Sequence, residues 1–311
     1  MTPRLVILVG PTGAGKSALA LRIGEKFGAE IVSADSQQVY RGMDIGTAKA
    51  TREQRQRVPH HLLDVLDPSE EMSAQTFVDK ADQAIALSSK GGRPVIVAGG
   101  TGLYVRALLF GLFTGPAKDE GVRDKLKAES QRVGIPALWE RLKTVDPAAA
   151  EQIMSRDLRR IIRALEVHEL TGIPLSEHHR RHQENVKARY PAIWIGISPE
   201  REILYQRIDK RVDQMMADGF VEEVKGLREK GVTRTMRSQA AIGYSEIHSV
   251  LEGELPLNDA VVRIKRNSRR YARRQLSWYR RSEQVRWYAE GDLVDPGVLE
   301  SYLEENVTEH V

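Results

Sequence analysis

Gly10-Pro11-Thr12-Gly13-Ala14-Gly15-Lys16-Ser17 is the stretch that decides how this chain is read. It fits the G-x-x-x-x-G-K-[ST] phosphate loop. Leu5-Val-Ile-Leu-Val9 precedes it, a short apolar run suited to a buried parallel strand. From Ser17 to Phe27 the pattern is helical, with Leu19, Ile23 and Phe27 on one stripe. A strand thus feeds a glycine loop that opens a helix. That order turns backbone N–H groups and the positive helix end toward an anion. Lys16 is placed to reach the distal phosphate, and Ser17 to ligate Mg²⁺. The loop implies a bound di- or triphosphate, ATP included, without selecting one.

The whole chain sets outer bounds. Its 311 residues suffice for a large core. No apolar run approaches the ~18 residues of a membrane span. The N-terminus leads straight into a core strand, so no signal peptide is expected. Cysteine is absent, which excludes disulfides and cysteine-bound zinc and fits a reducing cytoplasm. A pI of about 9.2 with clustered arginines favours an anionic partner.

Glu30-Ile-Val-Ser-Ala-Asp35-Ser36 reads as a second strand ending in a carboxylate. Ligands of open α/β sheets bind beyond the carboxyl ends of strands, which places Asp35 near the phosphate loop. It is a candidate general base, a water-mediated Mg²⁺ ligand or a plain turn cap. The following polar segment, Gln37 to Lys49, reads as an active-site loop. His60 to Leu66 is expected to be a third strand. Its adjacent histidines point to opposite faces and make a poor metal site. Ser73 to Ser89 is expected to be a helix with Phe77, Ala81, Ala84, Ile85 and Leu87 inward. Pro94 to Ala98 is a further strand, and Gly99-Gly100-Thr101-Gly102 brings Thr101 to the same crevice. No carboxylate ends that strand, which weakens an ordinary ATPase reading.

After about Lys118 the βα rhythm stops. Residues 118–190 read as an inserted helical subdomain, between 1–117 and 191–311 of an α/β core. Within the insertion Arg156, Arg159, Arg160 and Arg163 share a helix face, opposite Leu158, Ile161, Ile162 and Leu165. The rhythm resumes with a strand at Ala192 to Ser198. The next helix carries Arg207 and Arg211 one turn apart, placed as a phosphate clamp. Residues 263–281 hold nine basic residues and no acidic one. All but Lys265 fall on one side of a helix whose expected apolar stripe is Ile264, Tyr271 and Trp278. Such a face suits a phosphate backbone. Val285 to Tyr288 is expected as an edge strand, and the last 15 residues as a frayed polar tail.

Together these stretches resemble the tRNA dimethylallyltransferase (tRNA isopentenyltransferase) family. The likeness rests on Gly10 to Ser17, Ser33-Ala-Asp-Ser-Gln-Gln-Val-Tyr-Arg-Gly-Met43 and Gly99-Gly-Thr-Gly-Leu-Tyr104. Arg159-Arg-Ile-Ile-Arg-Ala-Leu-Glu-Val167, Leu204 to Val212, Ala241-Ile-Gly-Tyr244 and Arg273-Arg-Gln-Leu-Ser-Trp278 complete it. The resemblance implies a kinase-like, phosphate-loop NTPase-like parallel sheet flanked by helices, with a helical insertion. It implies transfer of a dimethylallyl group from dimethylallyl diphosphate to N6 of the adenosine 3′ to the anticodon, with Mg²⁺. By carry-over, Lys16, Ser17 and the loop residues Gly10 to Gly15 hold diphosphate and metal, with Thr12 at the mouth. Asp35 takes the amine proton, and Ser36, Gln37 and Gln38 read the flipped adenine and its neighbours. Thr101 touches tRNA. Arg159, Arg160, Ile161, Ile162 and Arg163, with Arg273 and Arg274, bind the anticodon stem-loop. Arg211 carries over as the diphosphate clamp, with Arg207 left as the second candidate. A monomer is expected, of bacterial type. The rivals are an ATP-using small-metabolite kinase and a nucleic-acid-binding NTPase.

Overall fold

The structure, a computed structural model, describes residues 3–113 and 115–304. In chain order, β1 (Leu5–Val9), α1 (Lys16–Phe27) and β2 (Glu30–Ser33) come first. They lead to α2 (Arg52–Arg57), β3 (His60–His61), α3 (Ala74–Lys90), β4 (Val95–Ala98) and α4 (Gly102–Phe110). Next are α5 (Glu120–Val133), α6 (Ile135–Val145), α7 (Pro147–Gln152), α8 (Leu158–Thr171) and α9 (Leu175–Asn185). Then follow β5 (Ala192–Ile197), α10 (Arg201–Ala217), α11 (Phe220–Glu229), α12 (Tyr244–Leu251), α13 (Leu257–Tyr279), β6 (Val285–Tyr288) and α14 (Pro296–Glu304). The chain divides into two compact units. One runs to Leu109 and resumes at Arg189; the other is Phe110–Ala188, which begins ahead of the expected Lys118.

The first unit is built on a six-stranded sheet in the order β3-β2-β4-β1-β5-β6, with every pairing parallel. β1 is buried at all five positions, as a strand covered on both faces must be. Val6, Leu8, Ile31, Ile96, Ile195 and Ile197 share one core with α1 and α14. α3 packs against β2 and β4. β6 pairs only with β5 and forms the expected edge. A second core joins Val39, Tyr40 and Met43 to Val212, Phe220, Val224, Tyr244 and Ile264. It anchors the segment after β2 to α10, α11, α12 and α13.

Four expectations are corrected. The third strand is two residues long, not seven, because Leu62 and Asp64 adopt left-handed backbone (φ 64° and 56°) that no ladder accepts. Asp64 is drawn out by Lys49 and Arg55, each 2.6 Å from one of its oxygens. Leu87 is 66% exposed, on the outer side of α3, while Ser88 is buried instead. Trp278 is 41% exposed and lies against Gly102; the inner stripe of α13 is Ala260, Ile264, Ala272, Gln275 and Tyr279. The tail is helical over α14, because Leu299 and Leu303 find the sheet core; residues 305–311 lie outside the described residues.

The second unit is all helical and closes over Leu126, Leu138, Leu142, Ile161, Ile162 and Leu165. Glu166 is fully buried within it. Its carboxylate accepts from Arg123 at 2.7 and 3.0 Å, from Arg163 at 2.8 Å and from the N–H of Asp119 at 2.9 Å. Burial opposes ionisation, but these donors prevail and hold its pKa down at about 2. Glu166→Gln should therefore destabilise this unit by about 3 kcal/mol near neutral pH, because two arginines lose their buried partner. Trp139, bonded to the carbonyl of Ile153, reports it in denaturant titrations. A depressed carboxylate stabilises above its unfolded pKa. The wild-type advantage should thus hold above about pH 4.5 and shrink toward pH 2. Equal stability of the two proteins at pH 7 would contradict it.

Candidate active site

Three strands end at one crevice. β1 delivers the phosphate loop, β2 delivers Asp35, and β4 delivers the Gly99–Thr101 turn. This is the carboxyl edge of the sheet, where the order permits a ligand to sit between diverging connections. Among the described residues, the N–H groups of Gly13, Gly15, Lys16 and Ser17 have no acceptor. Thr12 N–H donates to Oε1 of Gln275 at 2.9 Å, and Nε2 of Gln275 donates to the carbonyl of Gly100 at 3.1 Å. One buried side chain from α13 therefore ties the phosphate loop to the second glycine turn. A Cβ on Gly100 would meet that Nε2 at 2.0 Å, so any larger residue there would displace the Gln275 amide from its bonds.

Lys16 Nζ donates to the carbonyl of Pro11 at 2.8 Å. Burial lowers its pKa to about 8; Asp35 opposes that shift and Arg211 adds to it. Arg211, from α10, donates to Thr12 Oγ1 at 3.1 Å and to the carbonyl of Thr47 at 3.2 Å. Burial lowers its pKa too, again opposed by Asp35. Both cations bond to neutral oxygens, and the one carboxylate that both sense is Asp35. Arg211 also lines a cavity of ≈ 840 Å³ shared with Arg41, Lys49, Arg55 and Gln214, room enough for a small ligand.

Asp35 Oδ1 accepts from the N–H groups of Gln37 at 2.8 Å and Gln38 at 3.4 Å. The turn-cap reading is thus true of one oxygen. Ser36 N–H donates to Thr101 Oγ1 at 3.1 Å, which joins the β2 and β4 loops. Gln37 Oε1 is buried without a partner among the described residues, an acceptor facing the same loop cluster. Gln38 is different. Its Oε1 accepts from Ser33, and its Nε2 donates to the carbonyls of Thr47 and Ala48. With these bonds its amide braces the loop. Burial pushes the Tyr271 phenol up to about 12, against contacts with Gln275 and Thr101 that lower it.

Ser17 is exposed at the start of α1, and its hydroxyl has no partner among the described residues. With the second oxygen of Asp35 it offers the hard donors that Mg²⁺ takes. No group of three or more histidine or acidic side chains suited to a metal occurs among the described residues. His61 bonds to buried Glu30 at 2.6 Å instead.

Arg207 does not join the clamp; it pairs with Glu290 at 2.7 Å. Ile161 and Ile162 have their side chains buried in the core of the helical unit. On α8, Arg159 and Arg160 are exposed, Arg163 is half-buried against Glu166, and Arg156 precedes the helix. On α13, Lys265 and Arg269 pair with Asp213 and Asp209 of α10. Arg263, Arg266, Arg270 and Arg273 are exposed with no acidic partner among the described residues. Arg274 is also exposed, over the Tyr271 ring. The basic stripe is narrower than its composition implied, but continuous. Sequence reasoning missed Gln275, Thr47 and Glu223. The signal for Gln275 was present: it is the neutral residue between Arg274 and Leu276 in the quoted Arg273–Trp278 motif.

The chain is similar to known proteins over most of its length. The model of the IPP transferase family matches residues 38–282, and that of isopentenyl transferase matches residues 3–64. The tRNA dimethylallyltransferase of Geobacter metallireducens is 48% identical over 300 residues, 96% of this chain and 95% of that one. The full-length tRNA isopentenylpyrophosphate transferase of Bacillus halodurans superposes with a TM-score of 0.71 at 41% identity, covering 99% of both chains. A eukaryotic dimethylallyltransferase, solved acting on tRNA, gives 0.81 at 25% identity, covering all of this chain and 81% of that one. These likenesses span the phosphate loop, the Asp35 segment and the helical insertion together, and the chain belongs to the tRNA dimethylallyltransferase family of IPP transferases.

Proposed function

We propose that the protein transfers a dimethylallyl group from dimethylallyl diphosphate to N6 of the adenosine 3′ to the anticodon of tRNA. The observation that carries this reading is the pair of half-buried cations, Lys16 and Arg211, bonded only to neutral oxygens around a glycine loop. Such charges favour a polyanion. A diphosphate leaving group gains negative charge as its allylic C–O bond breaks. Lys16, Arg211 and the loop N–H groups are placed to stabilise that charge. A Mg²⁺ held by Ser17, with Asp35 in reach through water, would supply further charge neutralisation when bound.

The amine of adenine is a weak nucleophile, because its lone pair is delocalised into the ring. The free oxygen of Asp35 accepts a hydrogen bond from N6–H and takes the proton as the C–N bond forms. Asp35 is close enough for its charge to act on both cations, which suits donor and acceptor meeting in one crevice. A stacked base cannot reach that depth, and the adenosine must be flipped out. The exposed arginines of α13 suit the stem-loop backbone, as those of α8 do on the helical unit. A kinase would have no use for the basic stripe, and no carboxylate ends β4 for an NTPase; family membership also disfavours both.

Two experiments test this reading. Lys16 is charged below its pKa of about 8 and loses its proton above it. Diphosphate binds the charged form, so the affinity for dimethylallyl diphosphate should be flat from about pH 7, above the ligand's own ionisation near pH 6, to pH 8. Above that pH it should fall up to about tenfold per unit, as binding comes to require proton uptake. Lys16→Met should bind weakly and lose that slope. A slope that persists in Lys16→Met would assign the titration elsewhere.

Asp35→Asn keeps the cap to Gln37, so the fold should survive. Single-turnover prenyl transfer at saturating donor and tRNA should slow by about 10²–10⁴. A near-normal rate would eliminate the base, and rescue by excess Mg²⁺ would move Asp35 into the metal shell.

A further inference from the structure

Glu223, in the first turn of α11, collects four donors. Its Oε2 accepts from the N–H groups of Asp44 at 2.8 Å and Ile45 at 2.6 Å. Its Oε1 accepts from the N–H of Gly46 at 3.2 Å and from the Tyr244 phenol at 2.6 Å. A carboxylate offers about four lone-pair sites, so this one is saturated. Burial and the Glu223 charge push the pKa of the Tyr244 phenol well up, which keeps it a donor. Three consecutive amides of one loop thus converge on a side chain remote in sequence.

The surroundings leave the loop little freedom. A Cβ on Gly46 would meet the Phe220 ring at 2.3 Å and the Tyr244 ring at 2.6 Å. Those rings pack edge to face, 4.9 Å apart. From the other side the buried Lys49 Nζ donates to the carbonyl of Tyr40 at 2.7 Å and to Asp44 and Asp64 at 2.6 Å each. Thr47 Oγ1 closes the turn onto the carbonyl of Met43 at 2.6 Å. What this construction fixes is the next carbonyl along, that of Thr47. It accepts from Arg211 Nη2 and from Gln38 Nε2, both at 3.2 Å.

We infer that Glu223 is a positioning residue for the donor site. It fixes the Thr47 carbonyl, and through it the guanidinium of Arg211. This rests on the reading of Arg211 as a diphosphate ligand. It also gives the Ala241-Ile-Gly-Tyr244 motif a task at a distance: Tyr244 supplies the fourth donor and half of the aromatic wall behind Gly46.

Glu223→Gln separates this role from plain structural support. The amide has nearly the same shape, but its Nε2 would face one pair of donors in place of an acceptor. Gly46 N–H, or the Asp44 and Ile45 pair, then loses its acceptor beside Thr47. The experiment is titration calorimetry of inorganic diphosphate with Mg²⁺ into the full chain, for Glu223→Gln, Arg211→Ala and the double variant. Glu223→Gln should weaken diphosphate about tenfold, the effect of one charge-assisted hydrogen bond. In the Arg211→Ala background it should add less than about twofold, because both act through one guanidinium. Affinity for an anticodon stem-loop should stay within about twofold of wild type, since phosphate contacts elsewhere dominate it. Tyr244→Phe, which keeps the ring and loses one donor, should weaken diphosphate in the same direction, and only while Arg211 is present. Additive losses in the double variant, or unchanged diphosphate affinity in Glu223→Gln, would overturn the inference and leave Arg211 as a ligand. Normal diphosphate binding by Arg211→Ala would overturn both.

Discussion

A half-buried guanidinium bonded to two neutral oxygens is the constraint on which this site depends. Arg211 spans Thr12 of the phosphate loop and Thr47 of the loop after β2. Neither partner cancels its charge, and burial lowers its pKa accordingly. Lys16 repeats the pattern on the opposite side of the loop, with the Pro11 carbonyl as partner. Partly desolvated charge of this kind is costly unless it is answered, and Asp35 is the one carboxylate that both cations sense. The proposed chemistry uses each sign once: the cations stabilise a departing diphosphate, and the carboxylate receives a proton.

The supporting structure follows from keeping those charges in place. Gln275 locks Thr12 to Gly100, and Glu223 locks the loop that carries Thr47. Both supports come from helices late in the chain, far from the strands that they serve. α13 is two-sided in function as well as in polarity. Its inner face places Gln275 and Tyr271 against the glycine turns, while its outer face carries exposed arginines. A ligand on the outer face and one in the crevice therefore share a single rigid element.

Much of this was legible in the sequence, for local reasons. The phosphate loop, the strand that ends at Asp35 and the second glycine turn are encoded by contiguous residues whose backbone geometry is fixed by composition. Parallel strands could be read because they are apolar throughout. The misreadings share a cause in long-range contact. His60 to Leu66 looked like a strand, but Lys49 and Arg55 bend it away at Asp64. Trp278 looked buried by periodicity, yet the α13 stripe rotates toward small Ala272 and polar Gln275. Gln38 sat in the right motif, but its amide serves the loop. Arg207 and Arg211 were equivalent in pattern; the structure separates them, Arg211 bonding to Thr12 and Thr47 and Arg207 pairing with Glu290. Ile161 and Ile162 belonged to a motif in which Arg159 and Arg160 are exposed, Arg163 turns to buried Glu166 and the isoleucines face in. Glu223 gave no local signal, because its partner loop lies about 180 residues earlier; Tyr244 stood in a quoted motif whose task shows only in the fold.

The central claim is that the two cations serve an allylic diphosphate and the carboxylate serves an adenine amine. Mass spectrometry of an anticodon stem-loop tests it most directly, after incubation of the full chain with dimethylallyl diphosphate and Mg²⁺. The expected result is the gain of one dimethylallyl unit on N6 of the adenosine 3′ to the anticodon, with one diphosphate released per transfer. An unmodified stem-loop, together with steady turnover of ATP by the same preparation, would contradict the account.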